Sequence, residues 1–303
     1  MNMRSLKPAL LGSLLASAVL PIHATSVYTD PVGAVVYNLD AGAYVISAPL
    51  QKAKIFQGVL EDVDGAELTI GSSVSLDGPS YVQVLSGAAG GAIVTVASVS
   101  GSSVVLEDTI PGLAAGDSVA VRGHLVLADL VSAAGGAIPD QTTITLYNLD
   151  GTTSSYETFD NIWYDGDFGV ASNVEVYPGE GFVLGLPAAA ELTMVGSVAV
   201  DPVLVPLNSG VLALVGSLNP APSVANPSSI GQIFGNLGDE STLTLYSDDG
   251  ALAAVASYES FGGSWFDPDF TGVDDESLAA PNSFAVLSSD ISYAILPPAF
   301  SSN

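Results

Sequence analysis

Two short stretches of this chain set carboxylates beside large aromatic rings in the same order, Trp163-Tyr164-Asp165-Gly166-Asp167-Phe168 and Trp265-Phe266-Asp267-Pro268-Asp269-Phe270. Aspartates at i and i+2 of a loop can share a hard cation such as Ca²⁺, which takes about six to eight oxygen ligands. Asp165, Asp167, Asp267 and Asp269 are therefore the candidate metal ligands. Asp150 and Asp160 could add oxygens in the first stretch, and Asp248, Asp249, Asp274, Asp275 and Glu276 in the second. Neither loop has the Asp-x-Asp-x-Asp-Gly spacing of an EF-hand, so solvated turn aspartates are the simpler expectation. The rings suggest a second chemistry, because aromatic faces stack on sugars while carboxylates accept hydroxyl hydrogen bonds. A carbohydrate platform would use Trp163, Tyr164, Trp265 and Phe266. Against it, Tyr156, Phe159, Trp163 and Phe168, like Tyr258, Phe261, Trp265 and Phe270, are the large residues of segments otherwise built from small ones. Their size favours them as two cores.

Nucleophilic and acid–base chemistry has less to work with. Beyond the first 24 residues His124 is the one histidine, and the chain has no cysteine. That excludes Cys-His catalysis and thiolate or multi-histidine zinc sites. A Ser-His-Asp triad would have to use His124, and no Gly-x-Ser-x-Gly elbow accompanies it. Ser86-Gly87-Ala88-Ala89-Gly90-Gly91 is rich in glycine but lacks the lysine and following helix of a phosphate-binding loop, so it reads as a plain connection. A glycan hydrolase needs two carboxylates in a cleft, which a chain with 32 acids could supply.

Residues 1–24 read as a secretory signal: Arg4 and Lys7, the apolar run from Ala9 to Leu20, and a small residue at Ala24. The run is shorter than the roughly 20 apolar residues of a membrane-spanning helix. Without cysteine, an exported chain must hold together by burial or by metal. Loss of the signal would leave Lys52, Lys54 and Arg122 against 32 acids, or 3 − 32 = −29. Such a polyanion repels nucleic acid and anionic membranes. Self-association or surface glycans are the partners that remain.

The elements that must position these residues are strands. Short runs rich in β-branched and aromatic residues recur between Gly, Pro, Asn and Asp, and long helical periodicity is missing. Short helical turns are expected near Leu125 to Ala134 and Ser229 to Phe234. The aromatic stretches belong to a larger duplication. Thr145-Leu146-Tyr147 recurs as Thr244-Leu245-Tyr246, an offset of 99 (145 to 244), and Ser155-Tyr156-Glu157 recurs as Ser257-Tyr258-Glu259, an offset of 102 (155 to 257). Leu39 to Gly42 with Ala43-Tyr44-Val45-Ile46 matches Leu207 to Gly210 with Val211-Leu212-Ala213-Leu214 at an offset of 168 (39 to 207). The difference, 168 − 99 = 69, implies an insertion in the first copy, from about Gln57 to Gly123. Six candidate strands there, with turns at Asp64-Gly65 and Ser100-Gly101, point to a small barrel filled by its own side chains. Asp30-Pro31 opens the first unit as Asp201-Pro202 opens the second.

The opening Thr29-Asp30-Pro31-Val32-Gly33 behind a signal, the insertion with Ser86-Gly87-Ala88 and Gly112-Leu113-Ala114-Ala115-Gly116-Asp117, and two strand-Tyr-strand-Trp blocks resemble an uncharacterised family of secreted, paralogous β-proteins of verrucomicrobial bacteria. The resemblance covers the mature chain and implies a fold without implying catalytic residues. The expected architecture is all-β: a first unit over 25–56 and 124–200, an inserted barrel over 57–123, and a second unit over 201–303. The expected role is a secreted structural or adhesive protein of the cell surface, envelope or extracellular matrix, without catalysis. A carbohydrate-binding module, with or without Ca²⁺, is the alternative, and a two-carboxylate glycan hydrolase the weaker one. Strand edges poor in charge, such as Val94 to Val99, are expected to pair between subunits.

Overall fold

The computed structural model describes residues 30–220, 228–276 and 283–298, so the signal stretch 1–24 lies outside the described residues. The chain enters through β1 (Val32–Leu39) and β2 (Gly42–Ser47). It then builds β3 (Lys54–Asp64), β4 (Glu67–Ile70), β5 (Ser80–Val84), β6 (Ile93–Ser100), β7 (Ser103–Leu106) and β8 (Ser118–Gly123). These six strands close into an antiparallel barrel in the order β3-β4-β7-β6-β5-β8. Alternate side chains, among them Leu60, Leu68, Ile70, Val82, Val84, Val104, Val119 and Val121, fill its interior. Closure corrects one expectation: β6 pairs with β5 on one side and β7 on the other, so Val94 to Val99 is not a free edge. The hairpin turns also sit one residue later than expected. Asp64 pairs Glu67 and Ser100 pairs Ser103, leaving Gly65-Ala66 and Gly101-Ser102 as the turn residues, with the glycine first at φ 63° and 62°. Glycine at the first central position suits a II′ turn, whereas Asp64-Gly65 and Ser100-Gly101 as turn pairs would place it second.

After the barrel come β9 (Leu125–Val126), α1 (Leu127–Ala133), β10 (Thr143–Tyr147), β11 (Thr153–Phe159), β12 (Ile162–Tyr164), β13 (Glu175–Val176), β14 (Gly181–Leu186) and β15 (Ala190–Ser197). The last part holds β16 (Val203–Leu207), β17 (Leu212–Gly216), α2 (Ile230–Phe234), β18 (Thr242–Tyr246), β19 (Ala254–Phe261), β20 (Ser264–Phe266), β21 (Ser283–Leu287) and β22 (Ser292–Leu296). One five-stranded sheet runs β12-β11-β10-β14-β2 and the other β20-β19-β18-β21-β17. The two orders match element for element, as do the ribbons β1-β15 and β16-β22. In each unit the ribbon and a short helix cover one face of the sheet. Leu127, Leu130, Trp163, Phe182 and Leu192 fill the first core, and Ile233, Phe234, Trp265, Phe284 and Val203 the second. Ser229 caps α2, its hydroxyl accepting from Gln232 N.

Strand registers account for the unequal repeat offsets. The loop from β10 to β11 spans 148–152, that from β18 to β19 spans 247–253, and β19 carries one further bulged residue opposite Tyr246. Two loop residues and one bulge make up the step from 99 to 102. At the N-terminal strands the sequence match slips by one. Val45 faces Val183 as Leu214 faces Ala285, so the structural offset is 169 (45 to 214) and not 168. The turn before β17 is one residue longer, and with alternating side chains a one-residue slip exchanges the two faces.

The two five-stranded sheets meet through equivalent residues. Val45 and Leu214, Val183 and Ala285, and Tyr147 and Tyr246 form one shared cluster, as an approximate two-fold relation requires. At its centre Ser47 packs against its own counterpart Gly216, and Gly181 against its counterpart Ser283. Two serines would not fit where one serine and one glycine do. A Cβ on Gly216 would collide with Ser47 Cβ and Oγ. Gly216→Ala is therefore expected to lower unfolding free energy by about 1–3 kcal/mol through overpacking. Gly272→Ala, where an added Cβ meets nothing within 4 Å, should be neutral in the same denaturant titration.

Candidate functional site

All three cations of the described chain lie where the barrel joins the two units. Asp30 receives Arg122 Nη2 at 2.7 Å and Lys54 Nζ at 2.9 Å, one on each carboxylate oxygen. Lys54 also reaches Asp201 at 3.5 Å, so the Asp-Pro openings of both units converge on one barrel strand. Arg122, 1% exposed, gives Nη1 to Lys52 O at 2.8 Å and Nε to Gln83 Oε1 at 3.3 Å, and Gln83 Nε2 donates to Pro202 O. Burial alone would raise the Asp30 carboxyl, but the hydrogen bonds and charges of Lys54 and Arg122 outweigh it and hold the group below its ordinary value. Lys52 pairs with Asp129 of α1 at the more open rim.

A second seam links the barrel to the first unit. His124 is fully buried, its ring edge-on to Tyr177 and tilted against Tyr81. Burial, with Lys52 nearby, pushes its imidazole down to about 4, so the ring is neutral and its 3.4 Å approach to Glu175 is not an ion pair. Its Nε2 lies 3.1 Å from Thr95 Oγ1, and Nδ1 has no hydrogen-bond partner among the described residues. The Tyr177 and Thr95 hydroxyls share a hydrogen bond of 2.6 Å, and Thr95 Oγ1 also lies 3.4 Å from Glu175 Oε2. Burial and the charge of Glu107 raise the Glu175 carboxyl. His124 thus works as a packed link between strands, and among the described residues no serine hydrogen-bonds it as a triad would require.

These two seams leave a cleft of about 400 Å³ between barrel, first unit and second unit. The barrel contributes Ile93, Thr95, Glu107 and Asp108; the first unit Tyr147, Leu149, Tyr177 and Glu180; the second Leu204, Pro206 and Ala213. Glu180 closes the Tyr177-Pro178-Gly179-Glu180 turn, accepting Tyr177 N–H on Oε2 at 2.9 Å, and burial pushes its carboxyl up to about 7. None of these wall residues was expected at a site, though Tyr147 and Ala213 belong to the repeat. The one local signal is that turn, whose Pro-Gly centre aims a carboxyl back at its own start.

The repeated aromatic-aspartate loops lie elsewhere and are built alike. Asp165 Oδ1 accepts Asp167 N at 3.0 Å and Gly169 N at 2.7 Å, and Asp267 Oδ1 accepts Asp269 N at 3.0 Å and Thr271 N at 2.8 Å. Phe168 N donates to Asp165 O, and Phe270 N to Asp267 O. Gly166 N–H makes no hydrogen bond among the described residues, so Pro268, which has no N–H, is accommodated at the equivalent position and the loops match despite their divergence. Asp165 and Asp267 therefore shape their turns. Asp150 and Asp249 do likewise, holding Thr152 and Ala251 N–H groups, while Asp160 N–H is bound by Asp140; Asp274 accepts Trp265 N and Glu276 accepts the Tyr258 hydroxyl. Among the described residues no group of three or more acidic, His or Cys side chains is placed to hold a metal ion.

The aromatic expectations divide. Trp163 and Trp265 are 0% and 1% exposed, the latter donating Nε1 to Phe234 O, so neither can offer a face to sugar and the platform with Tyr164 and Phe266 is corrected. Phe168 and Phe270, expected in the cores, stand 76% and 75% exposed at φ 61° and 59°. The Asp turn sets that left-handed backbone and points the ring outward. Phe261, also expected in a core, is exposed and lies 6.4 Å from Phe270.

Comparison with protein-family models, curated proteins and solved structures finds no match. Among the described residues no helix is long and apolar enough to cross a membrane.

Because Glu180 sits near 7 in the fold, above the ordinary 4.5 of an unfolded chain, its burial favours the native state fully below pH 4.5. That contribution is lost as pH rises through 7. Glu180→Gln has no such loss, so its melting temperature relative to the parent should climb between pH 4.5 and 8, as read by calorimetry.

Proposed function

We propose that this protein is a secreted, non-catalytic structural or adhesive component of the cell surface, envelope or extracellular matrix, and that it makes its contacts through two copies of one aromatic loop tip. The observation that carries this reading is the pair Phe168 and Phe270, each three-quarters exposed in left-handed backbone. A bulky residue in that conformation costs about 1–3 kcal/mol. An exposed ring gives little of this back to the fold. Around the two phenylalanines the sequence has drifted, Tyr164 to Phe266, Gly166 to Pro268 and Gly169 to Thr271, while ring, backbone and supporting aspartate stay the same. Retention of a costly exposed group in both copies is what a contact residue requires. Export is supported by the basic and apolar start of the chain, and the low charge content, 12%, suits a protein that works by surface contact.

Glycine adopts the left-handed region without strain, so Phe168→Gly with Phe270→Gly should melt at or above the parent temperature. In a pelleting assay with envelopes of the producing cell, the double variant should lose about tenfold or more of its binding, and each single variant less, as two linked contacts dictate. Equal retention of parent and double variant, or no retention of the parent, contradicts the reading.

A further inference from the structure

The cleft where barrel and both units meet has walls and charge that select a ligand. Its surface is mainly apolar, supplied by residues such as Ile93, Leu149, Leu204, Pro206 and Ala213. Every charged residue on it is a carboxylate, namely Glu107, Asp108 and Glu180. The three cations of the described chain are bound to Asp30, Asp201 and Asp129, outside the cleft. Glu180 uses Oε2 for Tyr177 N–H, and Oε1 has no hydrogen-bond partner among the described residues. A volume of about 400 Å³ falls in the range of small-molecule sites, about 300 to 1,000 Å³. An anion is repelled here, and a sugar would set its hydroxyls against hydrocarbon. A ligand with an apolar body and a positive end satisfies both walls and charge.

We propose that this cleft binds an amphiphilic organic cation, its ammonium group paired with Glu180 and its apolar body lying against Leu149, Leu204 and Pro206. The site is independent of the aromatic tips and adds a small-molecule ligand to the contact role. Glu107 and Asp108 face the same space from the barrel and add to its negative potential. Tyr177 and Tyr147 line it from the first unit, and Glu175 and neutral His124 lie behind Thr95. Burial holds the Glu180 carboxyl up at about 7, so a bound cation draws it into the ionised form.

The test is calorimetric titration of the whole protein with tryptamine, tryptophol and indole-3-propionate, which share a ring and differ in end-group charge. Tryptamine should bind saturably, one per chain, and tryptophol about tenfold or more weaker, the value of one well-placed ion pair. Indole-3-propionate should not bind. Tryptamine affinity should rise between pH 5.5 and 8. Glu180→Gln, which removes one negative charge of the many on this chain, should abolish the preference for tryptamine over tryptophol while its melting curve shows a folded protein. Equal affinity for tryptamine and tryptophol overturns the proposal, as does the absence of binding heat at every pH. Non-saturating, salt-sensitive binding that survives Glu180→Gln would show only the general pull of an acidic chain on cations, and also overturns it.

Discussion

Asp30 is the side chain on which the arrangement of the three bodies depends. Its two oxygens hold Arg122 and Lys54, and Lys54 carries the link on to Asp201, so a single carboxylate ties both Asp-Pro openings to the barrel. In a chain of net charge −27 every cation is scarce, and repulsion between like charges works against compactness. Placing the cations at the junction turns part of that repulsion into attraction where it fixes geometry. The buried Arg122 makes a hydrogen bond from each of its three nitrogens, Nε, Nη1 and Nη2, which helps to make burying its charge tolerable.

The junction also breaks a symmetry that the rest of the fold keeps. Equivalent residues of the two sheets meet around Ser47 and Gly216, a self-complementary contact that needs serine on one side and glycine on the other. The copies are therefore no longer interchangeable, and only the first carries the barrel. Docking of the barrel on both units leaves the cleft on one side of the seam, with Leu204 of β16 lying against Gly91 of the barrel loop at its edge. The glycine-rich 86–91 loop is then a spacer that allows close approach, since a Cβ at Gly91 would stand 2.9 Å from Leu204 Cγ.

Much of the fold was legible because its signals are local. Alternation of apolar residues between turn glycines marked all six barrel strands within a few residues, and the repeat marked the two units. The slip of one residue at β2 and β17 was not legible, because a turn differing by one residue leaves the apolar character of both alignments intact. Phe168 and Phe270 were misplaced for a different reason. Side-chain size argues for burial, but an aspartate three residues earlier dictates the backbone, and the backbone decides where the ring points. The cleft was invisible because its walls come from residues as far apart as Ile93 and Leu214, each unremarkable in its own stretch.

The account stands most directly on the coupling between Asp30 and Arg122, which a double-mutant cycle measures. Denaturant unfolding of Asp30→Asn, Arg122→Met and the pair gives the coupling free energy. Asp30→Asn should cost about 3–5 kcal/mol, because it leaves buried Arg122 without its counter-charge, and Arg122→Met should cost less, because Lys54 still holds Asp30. The pair should cost well below the sum, a coupling of about 2 kcal/mol or more. Additive losses, with coupling near zero, would show that the two groups lie side by side without holding the barrel to the units.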